Sequence, residues 1–416
     1  MNEHPLLSVT ATAVFLSTGA FAQQSEPVAE RPQFDESRVA PAHTVQRSEF
    51  SDLGNEKAKH FAQERGTSLG EATSQLRRQA ALAMFIERLK ERHPDKFSYV
   101  AVNADSIEVG LTDPSIDITA LLPPGLANVQ KVQAVYSEKG TYARLEELKQ
   151  QLVSAGLKDV SVGVNPETGK IELLTKKAQA AVQEAITSGA IKSEHGIEVV
   201  DDEIIVLGYI DAGKAYNVDP SYCSNYCGGT TGFSLIDYAG TRRYTSTAAH
   251  MDNNRARYNT SLTSDYSSGG DTLQLPTDMF NYRLDVQYAQ PTDTAGDTPV
   301  PYFWDGVTYV SVENYTYPTE NVVFCKFGRV TKKTCGTHGP TTVYSNPEWN
   351  VSYLRRIPNP GTGSSFVQEG DSGGPVFYGH WALGWIHGRN SNYDLYYTPV
   401  SDFKSVQQVV DLIILK

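Results

Sequence analysis

Between residues 51 and 204, apolar positions alternate between helical and strand-like spacing. In "SLGEATSQLRRQAALAMFIERLKERH" (68–93), Leu69, Ala72, Leu76, Ala80, Ala83 and Leu89 fall at mixed three- and four-residue steps with charges between them. That spacing predicts an amphipathic helix. "TYARLEELKQQLVSAG" and "KKAQAAVQEAITSG" predict two more, ending at Gly156 and Gly189. "FSYVAVNADSIEVGLTD" and "VSVGVNPETGKIELLT" each give two short β-prone runs around a turn, hence hairpins. This part reads as an α+β unit. From about residue 205 to 416 the texture shifts to Gly, Tyr, Thr, Ser and Asn, with alternating runs such as Tyr282, Leu284, Val286 and Tyr288. Recurrent turn signals there predict an all-β antiparallel barrel or sandwich. At the end, "SDFKSVQQVVDLIILK" places Val406, Val409, Val410 and Ile413 on one face after a capping Ser401, which predicts a C-terminal helix.

The chain's 416 residues are too many for one ordinary domain. A formal net charge of -12 argues against an electrostatic grip on nucleic acid or an anionic membrane. Residues 1–22 end in Ala-Phe-Ala before Gln23, the small-x-small pattern of a cleaved signal peptide, although Glu3 stands where a basic residue is usual. No later apolar run is long enough to span a bilayer, so the expected product is secreted and extracellular. Residues 23–50 are polar and proline-bearing and read as a flexible lead-in. All four cysteines lie in the C-terminal half. An even number clustered in an exported chain suggests disulfides between sequence neighbours, Cys223 with Cys227 and Cys325 with Cys335. Zinc binding is the rival reading, and no histidine stands beside these cysteines at ligand spacing.

Two short motifs carry chemistry. "FVQEGDSGGPVF" (366–377) sets Ser372 among glycines ahead of an apolar run, and "TSTAAHM" (245–251) delivers His250 from a β-prone run through two alanines. A serine hydroxyl is a poor nucleophile until an imidazole can take its proton, and that imidazole needs an acid to fix its tautomer. Asp285 ranks first as this acid because it interrupts a strand-like run. Asp265, Asp271 and Asp278 sit in turn-rich stretches and are more simply solvated.

The ordered set "TAAH", an Asp within a strand and "GDSGGP" resembles the chymotrypsin-like serine peptidases. Finer details are similar to their secreted bacterial streptogrisin and alpha-lytic branch: "CKFGRVTKKTCGTH" (325–338) resembles its disulfide loop, and "YYTPVSDF" its entry to the last helix. The resemblance covers residues ~205–416 and implies two six-stranded antiparallel β-barrels with a C-terminal helix. It implies a serine-type endopeptidase with Ser372 as nucleophile, His250 as general base and Asp285 as the orienting carboxylate. The oxyanion hole would be formed by the amides of Gly370 and Ser372, and Lys326 would pair with Asp371 as a structural anchor. No metal or organic cofactor is implied. The partners would be protein or peptide substrates and the chain's own pro-region, and the molecule a monomer.

Several positions depart from the family pattern. Met251 follows His250 where a cysteine is usual, and Phe366 stands where the branch has Cys. His387 stands in "ALGWIHGRN" where Ser is common, next to Gly388. It either packs against the triad and tunes it or helps bind an acidic side chain. Phe366 at the pocket base argues against Lys or Arg before the scissile bond, and Val367 and Ile386 suggest a small or medium apolar residue. Residues 51–204 are similar in size and position to the branch's pro-region, which assists folding and occupies the active site until cleaved. Release is expected between Ile204 and Ala212; a permanent accessory domain is the alternative. Rival functions are a catalytically silent homologue that binds a partner, and a narrow processing enzyme or esterase.

Overall fold

The structure, a computed structural model, describes residues 39–42, 55–206, 215–218, 228–251, 256–259, 271–274, 280–291, 299–306, 308–406 and 410–415. Residues 1–22, with the proposed signal peptide, and Cys223 and Cys227 lie outside them. No described helix is long and apolar enough to cross a membrane.

The N-terminal periodicities form where the pattern places them. The helix Leu69–Arg92 starts at Ser68, whose hydroxyl accepts from the Glu71 N–H, and buries Ala72, Leu76, Ala83 and Leu89. Glu138–Ser154 is capped in the same way by Ser137, and Gly156 and Gly189 close their helices at positive φ. Phe97–Val102 and Ile107–Leu111 form one hairpin, extended by a parallel strand Val129–Gln133. Ser161–Val164 and Ile171–Leu174 form the other. An additional helix, Asn55–Arg65, packs Phe61 against Tyr378 with ring centroids 5.2 Å apart. Its sequence has a weak apolar stripe, which is why periodicity alone does not reveal it.

The C-terminal half is mostly strand, in two large sheets. A ten-stranded sheet includes Ser234–Asp237, Arg243–Thr247 and Val286–Pro291; a twelve-stranded sheet includes Val323–Gly328, Pro375–Tyr378, Trp381–Arg389 and Leu395–Pro399. The second sheet does not stop at the compositional boundary near residue 205. Its strand Val343–Asn346 pairs antiparallel with Ser161–Val164, so the N-terminal hairpin continues the sheet of the C-terminal half. Gly163 is required at this seam, because a Cβ there would fall 2.6 Å from the Tyr344 ring. One apolar core runs through Phe85, Leu89, Leu148, Val162, Val286 and Trp385, joining both halves.

Three expectations are corrected. The predicted C-terminal helix is a short one, Val400–Val406, followed by a strand, Val410–Leu415. Residues 410–414 are buried on both faces, and a short run that is apolar but for Asp411 is sequence-ambiguous between helix and strand. The lead-in is not uniformly flexible, since Val39–Pro41 pairs with that last strand, Val39 opposite Leu415. Asp285 is not inside a strand: Tyr282–Leu284 forms a 3₁₀ turn, and Asp285 follows at φ 51° before Val286–Pro291 begins. Asp is among the few non-glycine residues that enter the left-handed region readily.

Because Val410–Leu415 lies between Val39–Pro41 and Ser234–Asp237, its side chains serve the core of the first sheet. Leu412→Ala is expected to lower stability by about 2–5 kcal/mol, measured by chemical denaturation.

Candidate active site

Three segments distant in sequence meet at the site. The strand Arg243–Thr247 turns through two buried alanines to His250, whose backbone N–H donates to Asp285 Oδ1 at 2.8 Å. The Ala249 N–H donates to the Asp285 carbonyl at 3.1 Å, so turn and carboxylate are locked by backbone as well as side chain. His250 Nδ1 lies 2.7 Å from Asp285 Oδ2, and His250 Nε2 lies 3.0 Å from Ser372 Oγ. A carboxylate only accepts, so Nδ1 carries the proton and Nε2 presents a lone pair to the serine. The Ser372 hydroxyl has a second acceptor, the His387 carbonyl, at 3.2 Å.

The serine loop is held from behind. Asp371, wholly buried, accepts at Oδ1 from the Val330 and Thr331 N–H groups at 2.9 and 3.2 Å. Its Oδ2 accepts from Lys326 Nζ at 3.0 Å, from the Gln368 N–H at 3.1 Å and from the Thr331 hydroxyl. Burial pushes the Lys326 ammonium pKa down, and the attraction of Asp371 opposes the shift. Gly373, at φ 81°, admits no side chain: a Cβ would lie 2.2 Å from Thr247 Oγ1 and 2.4 Å from the Thr230 carbonyl. Thr230, which no sequence signal singles out, ties the loop to the first sheet. Its N–H donates to the Ser372 carbonyl at 2.7 Å and its hydroxyl to the Gly370 carbonyl at 2.8 Å. Cys325 and Cys335 form a disulfide across the neighbouring hairpin, which removes both from the zinc reading.

His387 is fully buried, and its Nδ1 donates to Asp285 Oδ2 at 2.6 Å. This is the first of the two sequence readings. The ring's Nδ1 is engaged by Asp285, and its Nε2 is buried without a hydrogen-bond partner. Burial lowers the His387 pKa and outweighs the opposing pull of Asp285, so the ring is a neutral donor at neutral pH. Burial works to raise the Asp285 pKa, but the electrostatic attraction and hydrogen bonds of the His250 and His387 N–H groups outweigh it and hold the carboxyl well below the usual range.

Among the described residues His250, Asp285 and His387 offer ligand atoms within 4.8 Å of one another. The two rings lie at hydrogen-bond distance from the single oxygen Oδ2, closer than a cation ligated by all three, each about 2 Å away, would leave them.

Phe366, Val367 and Ile386 share one buried apolar cluster with Ile357 and Val376, beneath the serine loop. Gly388 lies on the strand Trp381–Arg389 beside His387. Of the rival acids, Asp271 begins the strand Asp271–Gln274 and Asp265 and Asp278 lie outside the described residues. Two residues missed in the sequence flank the site. Trp349 stacks edge-on to His250 with centroids 6.3 Å apart, and Asn346 donates to the Ile204 carbonyl at 3.4 Å.

A hydroxyl, an imidazole and a buried carboxylate in hydrogen-bonded series define the class of site that performs nucleophilic acyl transfer. No protein-family model and no curated protein sequence matches the chain. Among solved structures it is similar to a Nocardiopsis protease (NAPase), at 19% identity and TM-score 0.37 over 49% of this chain and 98% of that one. It is also similar to Thermobifida fusca protease A, at 23% and 0.37 over 50% and 99%, and to a Cellulomonas bogoriensis chymotrypsin, at 20% and 0.35 over 50% and 98%. These are bacterial proteases of the kind that the sequence motifs resemble. At such scores the functional reading rests on the geometry around Ser372.

Replacing Lys326 leaves Asp371 buried without its counter-charge. Lys326→Met is expected to cost about 3–5 kcal/mol in a denaturation experiment. A change below about 1 kcal/mol would show that the backbone donors alone satisfy Asp371.

Proposed function

We propose that the protein is a serine endopeptidase, secreted and made as a zymogen, on a frame of two β-barrels. The observation that carries this reading is the unbroken series from Ser372 Oγ through His250 to Asp285, at 3.0 and 2.7 Å. Ser372 Oγ attacks the carbonyl carbon of a peptide bond while its proton passes to His250 Nε2. The carbonyl oxygen takes up the electron pair and is held by the Gly370 and Ser372 amides; Gly370 is at φ 92°. The imidazolium, stabilised by Asp285, then protonates the leaving amine as the C–N bond breaks, leaving an acyl-enzyme. Water, deprotonated by His250, attacks the ester; the acid product leaves and the serine regains its proton.

The buried acceptor series disfavours a silent homologue, for which a serine within reach of an oriented imidazole would be idle. Residues 51–204 are read as a pro-region released from a monomeric peptidase of residues 205–416, with no nucleic-acid, membrane or cofactor requirement. The bridge Cys223–Cys227 belongs to the same reading. Phe366, Val367 and Ile386 support an apolar residue, rather than Lys or Arg, before the scissile bond.

Ser372→Ala is expected to abolish peptide hydrolysis, and Asp285→Asn, which cannot hold the His250 tautomer, to lower kcat by roughly 10⁴. Turnover near that of the unaltered protein in the Asp285→Asn variant would remove Asp285 from the mechanism.

A further inference from the structure

The three-stranded sheet of Phe97–Val102, Ile107–Leu111 and Val129–Gln133 meets the C-terminal half at Glu320. Glu320 forms a parallel bridge with Ala101: its N–H donates to the Val100 carbonyl at 3.1 Å, and its carbonyl accepts from the Val102 N–H at 3.0 Å. Across the hairpin, Ala101 faces Glu108. Residues paired across neighbouring strands present their side chains on one face. Glu320 and Glu108 therefore flank Ala101 on the same face, two strand spacings or about 10 Å apart at Cα, with only a methyl group between them. Tyr99, two residues before Ala101, is buried and lies across Gly110, where a Cβ would fall 2.3 Å from its ring.

Glu167, from the turn between Ser161–Val164 and Ile171–Leu174, brings a third carboxylate to this row. Among the described residues none of the three has an ion pair. Glu108 accepts from Asn103 Nδ2 at 2.8 Å, and Asn103 Oδ1 accepts from Asn321 Nδ2 at 3.2 Å. The Thr341 N–H favours the ionised form of Glu320. Other neighbouring elements supply no charge to offset the row. Lys90, over the Tyr317 ring, is engaged by Glu138 at 2.7 Å, and burial lowers the His338 pKa to about 3, which leaves that ring neutral. Burial first, and then the charges of Glu167 and Glu108, raise the Glu320 pKa above its ordinary value. Burial and the same acids keep the Tyr99 phenol protonated.

We propose that this row of carboxylates makes the docking of the N-terminal sheet on the C-terminal half pH-dependent, firm in acid and loosened as the row ionises toward neutral pH. A carboxyl that binds its proton more tightly in the docked state favours docking below its ordinary pKa of about 4.3 and withdraws that support as the pH rises through the raised one. Like charges in register on one sheet face also oppose the pairing directly. The seam itself involves none of Ser372, His250 and Asp285 and stands apart from the peptidase reading. Only its use, to ease the release of residues 51–204 once the pH rises, rests on that reading.

Amide hydrogen exchange on the full-length Ser372→Ala protein, read by mass spectrometry, reports the seam through the Val102 and Glu320 N–H groups, both of which donate across it. The comparison is with Glu320→Gln in the same background, after correction for intrinsic exchange rates. Expected is protection of these amides at least about fivefold stronger in Glu320→Gln at about pH 8, narrowing to within about twofold at about pH 4. Glu167→Gln, in an exposed turn, is expected to shift protection in the same direction, and it decides the matter if Glu320→Gln does not fold. Equal protection in the variants and the parent chain at both pH values, or weaker protection in the variants at the higher one, overturns the proposal. Exchange is read without turnover, so either result leaves the peptidase reading untouched.

Discussion

One carboxylate oxygen, Asp285 Oδ2, gathers the site. It accepts from His250, which hangs from the first sheet, and from His387, which lies in the second, at 2.7 and 2.6 Å. With Asp285 Oδ1 also taking the His250 N–H, the carboxylate sits where the two sheets face each other and fixes the imidazole between them. A buried charge persists only when its hydrogen bonds are made. The same requirement that keeps Asp285 ionised therefore also orients the base toward Ser372. His387 adds a donor without adding a charge, because its burial keeps the ring neutral.

The second buried carboxylate, Asp371, works by similar physics on a different object. Five donors, one of them the Lys326 ammonium, converge on it, and the loop it anchors can present Ser372 at a fixed point in front of His250. Gly373 permits the backbone behind that loop to pack against Thr247 and Thr230. Site geometry is thus set by the hydrogen bonding of two acids that neither attack nor leave.

Much of this was legible in the sequence. Helix boundaries at Ser68, Ser137, Gly156 and Gly189 could be read because capping chemistry is local. Ser372, His250, Asp371 and Lys326 could be read because the motifs around them are specific. What escaped was set by tertiary context. The run from Val410 to Leu415 is apolar but for Asp411, too short and too uniform for periodicity to distinguish its two possible forms, and pairing with Ser234–Asp237 and Val39–Pro41 decides for the strand. Asp285 looked like a strand residue because its neighbours alternate; its positive φ leaves no trace in the sequence. Thr230, Asn346 and Trp349 are ordinary in isolation and acquire meaning only from what folds against them. The continuity of the second sheet into the N-terminal hairpin was likewise invisible, since strand partners more than a hundred residues apart have no local signature.

That continuity makes the N-terminal hairpin part of the second sheet. Sheets closed from distant strands fold slowly because the entropy of closing long loops is lost before pairing compensates it. The hairpin of Ser161–Val164 with Ile171–Leu174 supplies the edge against which Val343–Asn346 pairs. The central claim remains that Ser372 is a nucleophile activated through His250. The measurement that bears on it most directly is intact-mass analysis after exposure of the purified protein to a fluorophosphonate, beside the Ser372→Ala protein. The account predicts a single adduct mapped to Ser372 and none in the variant; a folded protein that takes up no adduct, or takes it up equally in both, would contradict it.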